Sequence, residues 1–212
     1  MEKYFLYFYI FFIYTTSALS SDYPKEWWAE VPRDGAPTWE ILPQDAKNGE
    51  VVLSKRTELG IFSNLSYSPI IFRGQRYNSI EGLWQMMKYP EGPGDIRSTF
   101  NYPLKRDFVA QLYGFDAKEA GKIANKIMRK NDIQWITFSG KRFNYKDYSH
   151  GSSLHYHIIY EATQNKILQN TKIKNLLLKT KGLILIPDHY QGDKPESYYY
   201  HKILMKIRDR LI

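Results

Sequence analysis

Apolar positions along this 212-residue chain recur mostly at the period of an α-helix, with a few short runs that read as strands. In residues 78–88, Ile80, Leu83, Trp84 and Met87 fall on one face, so the segment predicts an amphipathic helix. Asn78 with Glu81 three positions on reads as a capping box, and the helix must stop before Pro90 and the Glu91-Gly92-Pro93-Gly94 turn. A second helix is expected over 103–113, with Leu104, Phe108 and Leu112 in phase and Gly114 as its stop. A third follows, opened by Asp116 and Glu119 as a capping box and carrying Ala120, Ala124 and Ile127 as its inner stripe as far as Lys130.

Residues 134–138 lean to strand, and Gly140-Lys141-Arg142 reads as the turn after it. Helices are expected over 153–169 and 171–181, with Gly182 as terminator. The run Leu183-Ile184-Leu185-Ile186 beyond it predicts a buried strand ending at Pro187. A closing helix begins near Pro195, with Ile203, Ile207 and Leu211 at four-residue spacing. There is no internal repeat. These elements sum to a mostly helical α+β domain with a few short strands, and the chain length suits one domain.

The pattern changes character at the N-terminus. Residues 1–20 hold an apolar and aromatic run, Tyr4 to Tyr14, followed by small residues, with Ala18 and Ser20 placed for cleavage before Ser21. This is the form of a signal peptide, a short uncleaved anchor being the alternative, and it predicts export to a periplasm or the outside. After cleavage no stable membrane association is expected. Residues 21–50 form a Pro- and Trp-rich arm whose Trp27, Trp28 and Trp39 are too apolar to stay in water, so the arm is expected to pack on the domain at 51–212.

The formal net charge is +8, and it survives removal of residues 1–20 because Glu2 and Lys3 cancel. Such a surplus suits a phosphorylated ligand, a nucleic acid or an anionic surface. The chain has no cysteine, which excludes disulfides and thiolate metal sites. His150, His155, His157, His189 and His201 show no metal-binding helical spacing, and no Gly-rich phosphate loop or serine-nucleophile elbow is present.

Three places could carry chemistry. Glu81, Gln85 and Lys88 sit at i, i+4 and i+7 and form a polar row opposite the apolar stripe, either a solvated face or the wall of a cleft. Upstream, Ser63 and Asn64 lie in a glycine-containing loop able to hydrogen-bond a sugar or phosphate, behind the basic pair Lys55 and Arg56. Asn64-Leu65-Ser66 is also a glycosylation sequon. The loop 187–193 places Asp188, His189, Tyr190 and Asp193 directly after the expected strand, where a rigid element can present carboxylates and an imidazole.

The stretch Leu59-Gly60-Ile61-Phe62-Ser63-Asn64, then Pro69-Ile70, Gly74, Tyr77 and Ser79-Ile80-Glu81-Gly82-Leu83-Trp84-Gln85, resembles the opening signature of the NADAR (YbiA-like) family. The resemblance runs on through 117–125, 166–178 and the Asp188-to-Asp193 loop. It implies a mostly helical fold and hydrolysis of an N-glycosidic bond in an ADP-ribosyl or ribosyl-phosphate substrate. The substrate would be a small nucleotide or an ADP-ribosylated molecule, with nucleic acid as one carrier, and no metal or cofactor is required. By the same resemblance Glu81 and Asp188 are the catalytic carboxylates, and Lys55, Arg56, Ser63, Asn64, Gln85, Lys88, Tyr190 and Asp193 hold the ligand. The chain departs from the better-known members at Gln191, where they carry tryptophan, and at Tyr200-His201. A module that binds ADP-ribose or a nucleotide without turnover is the competing reading; a basic nucleic-acid binder ranks below it, because the Lys and Arg residues are dispersed.

Overall fold

The computed structural model describes residues 23–149 and 153–212; the signal-like segment and His150 lie outside them. Among the described residues, three pairs of short strands and six α-helices enclose one core. β1 (Glu50–Val52) runs parallel to β6 (Ile184–Ile186), with Val51 opposite Leu185. β2 (Ile70–Phe72) and β3 (Gln75–Tyr77) form a hairpin, as do β4 (Trp135–Phe138) and β5 (Lys141–Asn144). Each hairpin turns on two residues with positive φ, Arg73-Gly74 and Ser139-Gly140, the geometry that matches strand twist. The turn predicted at 140–142 is therefore one residue earlier, and Lys141 and Arg142 already belong to β5.

The helices are α1 (Ile80–Met86), α2 (Arg106–Ala110), α3 (Gly114–Lys130), α4 (Leu154–Gln169), α5 (Thr171–Lys179) and α6 (Tyr200–Leu211). Among the described residues no helix is long and apolar enough to cross a membrane. The α+β class is as expected, but several local details differ. The cap of α1 is Ser79, whose hydroxyl accepts from Gly82 N at 2.8 Å, while Asn78 turns its amide to the Gln111 carbonyl. α2 has five residues, and its Phe108, placed inward by periodicity, is exposed; Val109 and Ala110 are the buried pair. So short a helix cannot establish a stripe of its own.

α3 begins at Gly114, two residues before the expected cap, so Asp116 sits in its first turn. Its buried face is Ala117, Ala120, Gly121, Ala124 and Met128, with Ile127 on the flank. β6 is half buried: Leu185 is covered but its neighbour Ile184 is exposed, because successive side chains of a strand point to opposite faces. The closing helix starts at Tyr200 after a single 3-10 turn at Glu196–Tyr198.

Close backbone packing positions α1. A Cβ at Gly82 would lie 2.4 Å from the Leu112 carbonyl oxygen, so only glycine lets the helix press against the end of α2. The N-terminal arm is anchored by the same physics that predicted its packing. Trp27 is fully buried and donates to Glu58 at 2.8 Å, and Trp28 donates to the Glu50 carbonyl, whereas Trp39 stays exposed.

Candidate functional site

A cavity of about 900 Å³ opens between α1, α3, α4 and the segment 189–198. Its floor is the polar row of α1. Glu81 is half buried, facing the cavity, and Gln85 and Lys88 are almost wholly buried there, so the row is the wall of a cleft. Gln85 Nε2 donates to Glu81 Oε1 at 2.6 Å, and the Glu81 amide donates to the Asn64 carbonyl at 2.9 Å. The helix start and the Ser63-Asn64 loop thereby hold the same residue from both sides.

The electrostatics of this floor are unusual. Burial pushes the Glu81 carboxyl above the ordinary glutamate range, against the weaker opposing pull of the Gln85 amide and the Lys88 and Lys118 charges. Burial also brings Lys88 down to about 8, with Glu81 opposing. The Lys88 ammonium lies 4.6 Å over the Trp84 ring and 5.8 Å from that of Tyr145, a cation held by π faces. Gln85 Oε1 is buried without a protein donor, and its side chain sits where a Cβ on Gly121 would fall 2.0 Å from that oxygen. α3 therefore needs glycine at this point.

The walls are basic. Lys55, Lys88, Lys118, Lys122, Arg129, Lys146 and Lys194 line the cavity against only Glu81 and Asp132 among carboxylates. Lys118, Lys122, Asn125 and Arg129 come from one face of α3 at i, i+4, i+7 and i+11, beside its buried alanine stripe. That spacing was readable in the sequence, though its exposure to the cleft was not. Aromatic surface is supplied by Trp84, Tyr145 and Tyr198, with His155 stacked 4.2 Å from Trp84. Burial, with the nearby Lys88 charge, holds His155 neutral by lowering it to about 3; a backbone contact from Tyr145 opposes this weakly. Its Nδ1 pairs with the Ser197 hydroxyl at 2.9 Å.

Of the residues expected at a site, the fold brings Lys55, Ser63, Asn64, Glu81, Gln85, Lys88 and Tyr190 onto one cavity wall. Arg56, Asp188 and Asp193 are not on it. Arg56 points away, its guanidinium bonded to both Glu40 oxygens at 2.8 and 2.7 Å. Asp188 is buried behind the wall, where it accepts from Lys55 and lies 2.8 Å from His189 Nδ1. Desolvation pushes its carboxyl up, but the His189 and Lys55 bonds outweigh this and hold it below the usual carboxylate range. The residues it supports, Lys55 and His189, are the ones that reach the cavity.

Beneath the Ser63-Asn64 loop lies Lys166, fully buried on α4, donating to the Ser63 carbonyl and the Ser66 hydroxyl at 2.8 Å each. Burial alone lowers it to about 7. Among the described residues no group of three or more His, Asp or Glu is arranged to hold a metal ion.

No model of a known protein family matches the chain, and no curated protein does either. Among solved structures, the NMR structure of the E. coli protein YbiA is similar over 82% of this chain and 89% of that one, with 17% sequence identity and a TM-score of 0.49. The α+β class rests on the elements described above.

Proposed function

We propose that this protein is an N-glycosidase that hydrolyses the bond between ribose and a nitrogen base in an ADP-ribosyl or ribosyl-phosphate substrate. The observation that carries the reading is Glu81: a carboxyl raised by burial, fixed by Gln85 at 2.6 Å, at the floor of a cavity lined by seven cations. Breaking an N-glycosidic bond builds positive charge on C1′, which a close carboxylate stabilises. The same carboxylate can then accept a proton from the water that attacks C1′. Asn64 supplies an amide for the ribose hydroxyls, and the cations of α3 with Lys88 offer counter-charge for phosphate. The resemblance of the stretch around Glu81, Gln85 and Asn64 to the NADAR signature points the same way.

The test compares the protein with its Glu81→Gln variant on ADP-ribosylated guanosine, NAD and a ribosylaminopyrimidine phosphate, with released base measured by chromatography. The expected result is release by the parent and a loss of about 10²–10⁴-fold in the variant. Because the carboxyl is raised, the acid limb of the rate profile should lie above the ordinary glutamate value of 4.5. Tight binding of ADP-ribose without release of any base would instead make the cavity that of a nucleotide-binding module.

A further inference from the structure

We infer that His189 is the general acid that protonates the departing base, a role that rests on the N-glycosidase reading and assigns its second proton transfer. Glu81 accounts for the charge on C1′ and for the proton of the attacking water, but a purine or an aminopyrimidine leaves as an anion unless it gains a proton. That group must come from another part of the wall, and His189 does. It stands at the end of β6, on the cavity surface, with about 40% of its side chain exposed.

Its geometry is that of an oriented imidazole. Nδ1 faces the Asp188 carboxylate at 2.8 Å, which fixes the ring and leaves Nε2 for a ligand. The backbone is pinned by an antiparallel bridge between His189 and Glu40 and by the Ile41 amide donating to the Asp188 carbonyl at 2.8 Å. Trp39 packs edge-on against the ring at 6.3 Å. The other described histidine on the cavity wall, His155, is kept neutral by its burial and cannot serve as the proton donor near neutral pH. Burial likewise raises Tyr198 and Tyr200, which makes their phenols poorer acids.

The step balances as follows. The C1′–N bond breaks and its electron pair goes to the base nitrogen, which takes the proton from His189 Nε2. Water adds its oxygen to C1′ and yields a proton to Glu81. The products are free base and a ribose hydroxyl, and proton exchange with solvent restores both side chains.

The experiment uses two probes that differ only in leaving group: adenosine 5′-phosphate, whose base must be protonated, and 4-nitrophenyl riboside 5′-phosphate, whose phenolate leaves unaided. The His189→Gln variant should lose about 10²–10³-fold on the first and no more than about threefold on the second, whereas Glu81→Gln should fail on both. Free imidazole should restore base release to His189→Ala, which a merely structural role would not permit. Equal losses on the two probes, or no loss on adenosine 5′-phosphate, would overturn the assignment of His189 while leaving the N-glycosidase reading intact. A parent protein that is folded by circular dichroism yet cleaves neither probe, nor ADP-ribosylated guanosine, NAD or the ribosylaminopyrimidine phosphate, overturns both.

Discussion

Glu81 and Asp188 are both acidic and both at least half buried, one on the cavity floor and one behind its wall, and their surroundings push them in opposite directions. Asp188 meets Lys55 and His189 directly, and those bonds hold it ionised. Glu81 has one bonded partner, a neutral amide, and its charged neighbours act only through space. A carboxylate bonded to both an ammonium and an imidazole is suited to holding other groups in place. One left short of partners is pushed by burial above the ordinary carboxylate range.

The sharpest way to break this comparison is activity. If the roles are as assigned, Glu81→Gln abolishes most turnover while keeping the fold, and its loss of about 10²–10⁴-fold should exceed that of any single substitution on the cationic wall. A Lys122→Ala variant with an equal loss would mean that charge, not the carboxylate, carries the chemistry.

Stability should respond in the reverse order. Asp188→Asn leaves the Lys55 ammonium without its anion and weakens the His189 contact, and a loss of about 1–3 kcal/mol is expected in urea unfolding near neutral pH. Lys55 is about a third exposed and can turn to water, which keeps the loss at the low end. Asp188 is lowered in the folded protein, so its contribution is present above the ordinary aspartate value of 3.8 and vanishes as pH falls through the folded value. The gap between parent and variant should therefore close in acid. A gap independent of pH would show that packing, not charge, is lost.

How far this contrast could be read from sequence follows from what periodicity reports. The stripe of Ile80, Leu83 and Trp84 and the stop before Pro90 located α1 well, and the row Glu81-Gln85-Lys88 was marked as different. Whether that row is wet or enclosed depends on α3 and α4 folding over it, which no local pattern encodes. The same limit hid His155 and the cationic face of α3. Asp188 was found as a strand-end carboxylate, but its inward turn depends on Lys55, 133 positions away in the chain. Short elements were the least legible: α2 is too brief to declare a face, and its Arg106 instead bonds the carbonyls of Met86, Tyr89 and Thr137.

Lys166 sharpens the comparison from beneath. It is a buried cation with hydrogen bonds but no acid, as Glu81 is a buried acid without a bonded cation. Its value of about 7 lies below the ordinary 10.5, so the unfolded chain binds the extra proton between these values. Stability from this group is therefore greatest above 10.5 and falls as pH drops toward 7. Lys166→Met leaves the Ser63 carbonyl without that donor, at a cost of about 1–3 kcal/mol, and the deficit relative to parent should be larger at pH 9 than at pH 6.5. A deficit that grows in the other direction would mean Lys166 is charged and paired in the folded state.

The smallest expected effect bears most directly on Glu81. A carboxyl raised by burial stabilises the fold in its protonated form and loses that contribution as pH rises through the folded value. At pH 7 to 8 its ionised form is the strained one, so Glu81→Gln, which keeps the shape and a hydrogen bond to Gln85, should raise stability by about 1 kcal/mol, or about 2–4 °C in Tm. The gain should shrink as pH falls through 4.5, below which the carboxyl is protonated in both states. An inactive variant that is also more stable is the signature of a residue kept for chemistry, whereas loss of both activity and stability would make Glu81 a structural partner of Gln85 and return the site to the helix that bears it.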